Sequence, residues 1–236
     1  MKILALETSG SNCSVALIDE EKVIADFNCN TGTTHSQNLM PMLEQVQKFS
    51  EVSLDDIDYF ASSIGPGSFT GLRIGIATIK GMALSLNKKV LAVPSLVGLA
   101  YNVPYFDGMI CSVLDAKNDN VYAALFAYKD RPYMLGNYIS DSVNSLINVL
   151  KTKDCNILFV GDGAIAYKEL FKKEFDEKAF FMPYHLNFQT AVSIAKAAVD
   201  KAKLGEFDNY NTITPLYLKK SQAERMLDLN AKDTDN

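Results

Sequence analysis

The order of apolar and polar positions predicts strands and helices that alternate along the first hundred residues. Three short aliphatic runs predict strands that follow one another closely, at residues 3–6, 14–18 and 23–27. Apolar positions then recur at helical spacing over residues 36–49 and 68–86. Strand-like runs follow each of these helices, at residues 57–64 and 90–93, and a short helix starts near Ser95. This half of the chain therefore predicts an α/β unit.

The second half of the chain repeats this order. Its strand-like runs cover residues 109–114, 121–128, 133–139 and 157–160, and its helical segments cover residues 141–150, 164–175 and 189–204. Two blocks of the same order indicate a duplicated α/β unit, with Pro104 and Gly108 near the boundary. We therefore predict an N-terminal domain of residues 1–103, a C-terminal domain of residues 104–220 and a disordered polar tail of residues 221–236.

The predicted helix at residues 36–49 carries more apolar surface than one sheet can cover. At 100° per residue its apolar side chains span an arc of roughly 180°, whereas a surface helix needs a stripe of about 100°. These side chains are Leu39, Met40, Met42, Leu43, Val46 and Phe49. Pro41 lies inside the pattern, so the helix either begins there or is kinked.

The predicted helix at residues 68–86 is even more apolar, since Arg73 and Lys80 are its only charged residues. Each of its interior glycines costs about 1 kcal/mol relative to alanine, which the close approach of another backbone would explain. Both helices are then either wedged inside the core or packed with one face on the sheet and the other on a partner chain. The second interpretation gives these candidate interface residues: Leu39, Met42, Leu43, Val46, Gly71, Gly75, Thr78 and Met82.

Composition narrows the class of protein. The 236 residues are 48% hydrophobic and 22% charged, which is enough for a packed core. The net charge of −5 argues against a protein that binds nucleic acid through its own field. We find no secretory or membrane-spanning segment, and the four cysteines are widely spaced, so a reducing cytoplasm is the simplest compartment.

Two segments are candidates for binding phosphate. Residues 65–75, GPGSFTGLRIG, follow a strand and open a helix, where free backbone N–H groups can hold an anion. They match neither a P-loop nor a dinucleotide fingerprint. Together with the turn after the first strand they give these candidate residues for the vicinity of a nucleotide or phosphate: Glu7, Thr8, Ser9, Gly67 and Ser68. The alternative is that residues 65–75 form only a sharp strand-to-helix turn and residues 6–10 only a polar hairpin turn. Asp162, between two glycines, either faces a cleft between the domains or belongs to a turn.

Metal chemistry has little support in the sequence. His35 and His185 are the only histidines, and no pair of histidines is spaced four apart on a helix. We therefore expect no metal site, and no catalytic residue is assigned.

With these segments in view, the chain resembles the TsaB (YeaZ) family, the accessory proteins of tRNA threonylcarbamoyladenosine synthesis. The resemblance rests on residues 3–9 and 13–17, on His35-Ser36 with residues 39–42, on residues 65–75, and more loosely on residues 114–116, 121–122 and 215–218. Residues 65–75 are the most diagnostic of these.

The resemblance implies an actin-like fold of the sugar kinase/Hsp70 type, with two related α/β domains. It implies a non-catalytic cytoplasmic subunit that binds the catalytic paralogue TsaD and, with it, the ATPase TsaE. The complex transfers a threonylcarbamoyl group to the adenosine beside the anticodon, so this subunit would meet tRNA indirectly. The family's subunit contact is a bundle of its first two helices, and the same face commonly makes a homodimer. The paralogue's metal-binding histidine pair is absent here.

Several alternatives stay open at this point. A stand-alone ATP-dependent phosphotransferase would use residues 7–9 and 161–163 around a nucleotide, and a metallopeptidase is the third class. No cofactor is expected, although the sequence does not decide whether ATP or ADP binds at a shared interface. A direct tRNA contact through Arg73, Lys80 or Lys219-Lys220 also stays open.

Overall fold

The first of two sheets contains the strands predicted in the N-terminal half. The computed structural model describes residues 1–219, so the tail predicted at residues 221–236 lies outside the described residues. The strands are β1 (Ile3–Glu7), β2 (Cys13–Ile18), β3 (Val23–Cys29), β4 (Tyr59–Ser63) and β5 (Lys89–Val93). Their order is β3-β2-β1-β4-β5, with β1 antiparallel to β2 and parallel to β4.

The second sheet repeats this topology. Its strands are β6 (Met109–Asp115), β7 (Asn120–Tyr128), β8 (Pro132–Met134), β9 (Ile139–Ser142), β10 (Ile157–Val160) and β11 (Ala179–Phe181). The order is β11-β10-β6-β7-β8, and β9 also pairs with β7. Strand β6 is antiparallel to β7 and parallel to β10, as β1 is to β2 and β4. The predicted duplication is thus present in the strand order.

Seven α-helices lie within residues 1–219. They are α1 (His35–Ser50), α2 (Phe69–Leu86), α3 (Ser95–Ala100), α4 (Val143–Lys151), α5 (Asp162–Ala166), α6 (Lys168–Phe175) and α7 (Ala191–Lys203). Helix α1 begins at His35, so Pro41 lies inside it and does not start it. Within the same residues, no helix is long and apolar enough to cross a bilayer.

Two elements predicted as continuous are divided, and one strand was not predicted. The strand predicted at residues 133–139 becomes β8 and β9, because Gly136 between them has φ +80° and turns the chain. The helix predicted at residues 164–175 becomes α5 and α6, separated at Tyr167. Strand β11 has only three residues, too few for alternation to reveal it.

Two helices, α3 and α7, pack on the sheet of the other half of the chain. Helix α7 packs on the first sheet, where Ile194 and Ala198 join a core with residues of β1 and β5. Helix α3 packs on the second sheet, where Leu96 and Leu99 are fully buried. The boundary predicted at residues 103/104 therefore separates the two sheets, but α3 and α7 lie across it.

Helices α1 and α2 lie side by side on the other face of the first sheet. Helix α2 contributes Ile76, Ile79 and Ala83 to the core there, and its Leu72 is buried as well. Each fully buried leucine or isoleucine contributes about 1.5–3 kcal/mol through the hydrophobic effect. This packing fixes which side of each helix faces outward.

Candidate functional site

The apolar side of α1 that we assigned to a partner is turned toward the sheet. Leu39 and Val46 are 1% and 2% exposed, and Met42 and Leu43 are also buried in the core over β1 and β2. Burial within this chain leaves these four side chains little surface to offer a partner. We correct the assignment of these four residues because α1 packs them mainly against β2 and β3, with a smaller contact to α2.

Two glycines assigned to the same interface are also internal. Gly71 and Gly75 are buried, and a Cβ on either would overlap Thr8 in the turn after β1. The hydroxyl of Thr8 donates a hydrogen bond to the carbonyl oxygen of Gly71. The backbone that approaches α2 closely is therefore this chain's own. Of the eight candidate residues, Thr78 and Met82 remain half-buried at the surface.

The side chains that face outward are only partly those we predicted, since Thr78 and Met82 are the two that belong to both sets. We define the outer helix face by Met40 of α1 and by Ile74, Ala77, Thr78, Gly81, Met82 and Leu84 of α2. Met40 is 54% and Leu84 is 63% exposed. Ala77, Gly81 and Leu84 lie within about 60° of one another around the helix axis. No atom lies within 4 Å of a Cβ built at Gly81, so this glycine leaves a notch that opens outward.

The basic residues considered for tRNA contact have partners within this chain. The Arg73 guanidinium lies 3.9 Å from the centroid of the Phe69 ring, and its Nε donates to the Tyr217 hydroxyl. Lys80 Nζ donates to the carbonyl oxygen of Asn211, and Lys219 Nζ donates to Asn120 Oδ1. Lys220 lies outside the described residues. These contacts reduce the free donors that a phosphate backbone would need.

A cleft of about 310 Å³ lies between the two halves of the chain. Its lining includes three predicted phosphate-binding residues, Ser9, Gly67 and Ser68. Asp162 also lines it, which confirms the first of the two positions considered for this residue. The lining residues that were not predicted include Ser11, Asp115, Lys117, Tyr122 and Gln189. Ser11 belongs to the same turn as Ser9, whereas the other four come from the second half of the chain, so spacing along the sequence gives no signal for them.

Two carboxylates dominate the charge of this cleft. Burial, together with the Asp115 charge, raises the pKa of Asp162, whose Oδ1 accepts a 2.9 Å hydrogen bond from the Asp115 N–H. Burial also acts to raise the pKa of Asp115, but hydrogen bonds from Lys117 outweigh it and leave this pKa lowered. A phosphate would meet repulsion from Asp115 unless a cation lay between them.

The other two predicted phosphate-binding residues do not line the cleft. Glu7 and Thr8 are fully buried below it. Glu7 Oε1 accepts hydrogen bonds from the Ser9 N–H and the Ser63 hydroxyl, and Oε2 has no partner. Burial raises the pKa of Glu7 despite these bonds. Glu7 and Thr8 thus lie next to the cleft-lining Ser9, but their side chains bond inward and are not placed to contact a phosphate in the cleft.

The start of α2 offers little free capacity for an anion. The Ser68 side chain accepts a hydrogen bond from the Gly71 N–H, and the Ser68 N–H donates to the carbonyl oxygen of Ser9.

Among residues 1–219, no group of three or more His, Cys, Asp or Glu side chains is placed to hold a metal ion. His35 Nε2 donates to the Gly10 carbonyl oxygen, so this histidine ties α1 to the turn after β1.

Comparison with known proteins gives consistent matches over nearly the whole chain. The family profile described as "TsaD: tRNA N6-adenosine threonylcarbamoyltransferase" matches residues 30–227. The Bacillus subtilis tRNA threonylcarbamoyladenosine biosynthesis protein TsaB is 31% identical over 95% of this chain and 96% of its own. The structure of YeaZ from Pseudomonas aeruginosa superposes with a TM-score of 0.79 at 26% identity, covering 92% of this chain and 99% of that one.

A more distant structure bears on the fold alone. The ROK hexokinase from Thermus thermophilus has a TM-score of 0.53 at 9% identity and covers 86% of this chain and 100% of its own. Together with the repeated strand order, these neighbours confirm the predicted actin-like duplicated α/β fold.

Proposed function

The chain belongs to the TsaB (YeaZ) family, and from that premise we propose that it is a non-catalytic subunit in tRNA threonylcarbamoyladenosine biosynthesis. It binds the catalytic paralogue TsaD through the outer helix face. The paralogue carries out the transfer to tRNA, and this chain holds it in an active arrangement. We assign this role to the cytoplasm.

The outer helix face is the observation that carries the proposal. A soluble protein seldom leaves several large apolar side chains exposed together on neighbouring helices. Here Met40 of α1 and Leu84 of α2 are more than half exposed, and the small exposed residues Ala77 and Gly81 share one side of α2 with Leu84. Small residues on an outward-facing helix allow another helix to approach closely. A helix of the paralogue with protruding apolar side chains fits this shape.

The proposal extends to the remaining partners: a second copy of this chain uses the same face, and TsaE and tRNA are reached through TsaD. In the absence of the paralogue, two copies of this chain bury the face against each other in a symmetric homodimer. Binding of TsaD then separates the homodimer, because both partners use one surface. The ATPase TsaE joins the assembly with TsaD. Contact with tRNA comes mainly from these partners, in keeping with the net charge of −5 and with the internal pairing of Arg73 and Lys80.

A matched pair of substitutions tests the interface. Leu84→Arg places a charge on the outer helix face, and Leu204→Arg places the same charge at the end of α7, where the leucine is 57% exposed. We expect Leu84→Arg to abolish co-purification with TsaD and Leu204→Arg to leave it unchanged. Circular dichroism checks that both variants are folded. Retention of TsaD by folded Leu84→Arg would refute the interface.

A stand-alone phosphotransferase is the second candidate, and the cleft between the two halves is the observation that favours it. Ser9, Gly67 and Ser68 present small polar groups there, and Asp115 and Asp162 offer carboxylates for a cation. Calorimetric titration of the purified chain with Mg-ATP separates the two functions. Saturable heat and turnover by the chain alone would support the phosphotransferase, and their absence would leave the accessory role. The metallopeptidase class finds no supporting cluster of ligands within residues 1–219.

A further inference from the structure

Two of the four cysteines lie directly opposite each other on neighbouring strands. In the antiparallel pairing of β2 with β3, Cys13 is the register partner of Cys29. Opposed residues of an antiparallel pair point their side chains to the same face of the sheet. Both thiols accordingly belong to the core beneath α1. Neither the proposed function nor the cleft uses this pair.

The register brings the two cysteines to within reach of a disulfide. Opposed Cα atoms in an antiparallel pair are about 4.5 or 5.5 Å apart, and both distances fall within the range of about 4.4–6.8 Å seen across disulfides. Opposed Cβ atoms lie about 4.5–5.5 Å apart, so bond formation needs a closure of roughly 1 Å. Cys13 begins β2 and Cys29 ends β3, an edge strand, so the ends can move without breaking the ladder.

The two thiols differ in their access to solvent. Cys13 is fully buried, and burial is the main cause that raises its pKa to about 11, with a smaller contribution from nearby Cys29. Cys29 is half-buried, and its Sγ lies 3.5 Å from Thr31 Oγ1 and accepts a hydrogen bond from Asn38 Nδ2 of α1. A soluble oxidant therefore meets Cys29 first, and Cys13 is the nearest thiol that can react next.

We propose that Cys13 and Cys29 form a reversible intramolecular disulfide when the protein meets hydrogen peroxide. The Cys29 thiolate attacks one peroxide oxygen, which breaks the O–O bond and gives a sulfenic acid and, after protonation, water. The Cys13 sulfur then attacks the sulfenic sulfur, the S–O bond breaks, and the hydroxyl leaves as water with the thiol proton. Two thiols are oxidised and one peroxide is reduced to two waters. A dithiol reductant reverses the reaction.

The disulfide also changes the contacts of the loop that connects β3 to α1. Turning Cys29 Sγ toward Cys13 removes its contacts with Thr31 and Asn38. Asn38 Nδ2 also donates to Thr33 Oγ1, so the same side chain holds the loop that leads into α1. Oxidation thus loosens this loop while it locks the end of β3 to β2.

Thiol counting and peptide mapping test the proposal on the whole chain. After treatment with hydrogen peroxide and quenching, we expect two of the four thiols to be lost and recovered with dithiothreitol. Trypsin cleaves after Lys22, so the linked residues fall on separate peptides joined only by the disulfide. The Cys29→Ser variant should lose this linkage, and Cys155→Ser, which removes the other half-buried cysteine, should keep it.

Three results would overturn the proposal: retention of all four thiols, a sulfinic acid at Cys29 with free Cys13, or a disulfide that joins two chains. If a Cys13 variant fails to fold, Cys29→Ser still decides the outcome because its side chain lies near the surface. In that variant the intramolecular linkage must be absent while Cys111 and Cys155 stay reduced.

Discussion

The Thr8 hydroxyl donates a 2.8 Å hydrogen bond to the carbonyl oxygen of Gly71, which joins the turn after β1 to the first turn of α2. One helical turn later, Gly75 packs against the same threonine. Two of the three glycines inside α2 are therefore required by the chain's own packing. Only Gly81, further along the helix, faces open space. Replacement by alanine should therefore destabilise the chain at Gly71 and Gly75 and stabilise it at Gly81.

Gly75→Ala should lower the free energy of unfolding by about 1–3 kcal/mol, because the added methyl group would overlap the Thr8 hydroxyl. Gly81→Ala is its matched control and, at a concentration where the chain is monomeric, should raise the free energy of unfolding by about 0.5–1 kcal/mol, since alanine favours the helix and meets no neighbour within the chain. Urea denaturation of both variants measures the difference. Equal effects at the two positions would contradict the packing described for α2.

These glycines separate what the sequence predicts, namely the helices and the order of the strands, from what it does not predict, namely which side of α2 is buried. The apolar spacing correctly predicted α1, α2 and the duplicated order of strands, because periodicity depends only on neighbouring residues. It could not decide which side of α2 faces inward, since the helix is apolar on nearly all sides. That choice depends on Thr8, more than sixty residues away, and on where the turn after β1 lies. Ala77 and Leu84 were for this reason not among the candidate interface residues.

The cleft was only partly predictable for a similar reason. Ser9, Gly67 and Ser68 belong to turns whose sequences stand out. Lys117 and Gln189 carry no such signal, and they line the cleft because the second sheet and α7 bring them there. The inward direction of the Glu7 side chain was not predictable, because alternation along β1 predicts a strand without saying how its last side chain is enclosed.

Glu7→Gln should change how stability depends on pH. Burial raises the pKa of Glu7 in the folded chain above its ordinary value of 4.5, so the folded state holds this proton more tightly than the unfolded state. The stabilisation is complete below pH 4.5 and is lost as the pH rises through the raised pKa. Relative to Glu7→Gln, the wild-type protein should therefore become progressively less stable above pH 4.5.

Urea denaturation at a series of pH values measures this difference. Glu44→Gln, on the exposed side of α1, is the control and should follow the wild-type curve. A constant difference between Glu7→Gln and wild type across the series would show that the Glu7 carboxyl is not the group responsible.

Asp208 supplies a hydrogen-bond acceptor to the free edge of strand β5. Its Oδ2 accepts hydrogen bonds from the Ala92 N–H at 2.7 Å and from Lys201 Nζ at 2.9 Å. Asp208→Ala should lower the free energy of unfolding by about 1–3 kcal/mol, because it leaves a buried N–H and an ammonium group without this acceptor. Asp154→Ala, which removes an exposed partner of Lys178, should cause no measurable change in thermal denaturation. Similar losses in both variants would argue against this role of Asp208.

Hydroxyl-radical footprinting with and without TsaD tests most directly whether the outer helix face is the docking surface. At a concentration where the chain alone is monomeric, labelling of Met40 and Leu84 should fall several-fold when TsaD is added. Met134 and Leu204, which are exposed on the second sheet and at the end of α7, should be labelled as in the free chain. Unchanged labelling of Met40 and Leu84 in a complex that protects Met134 or Leu204 would contradict the account.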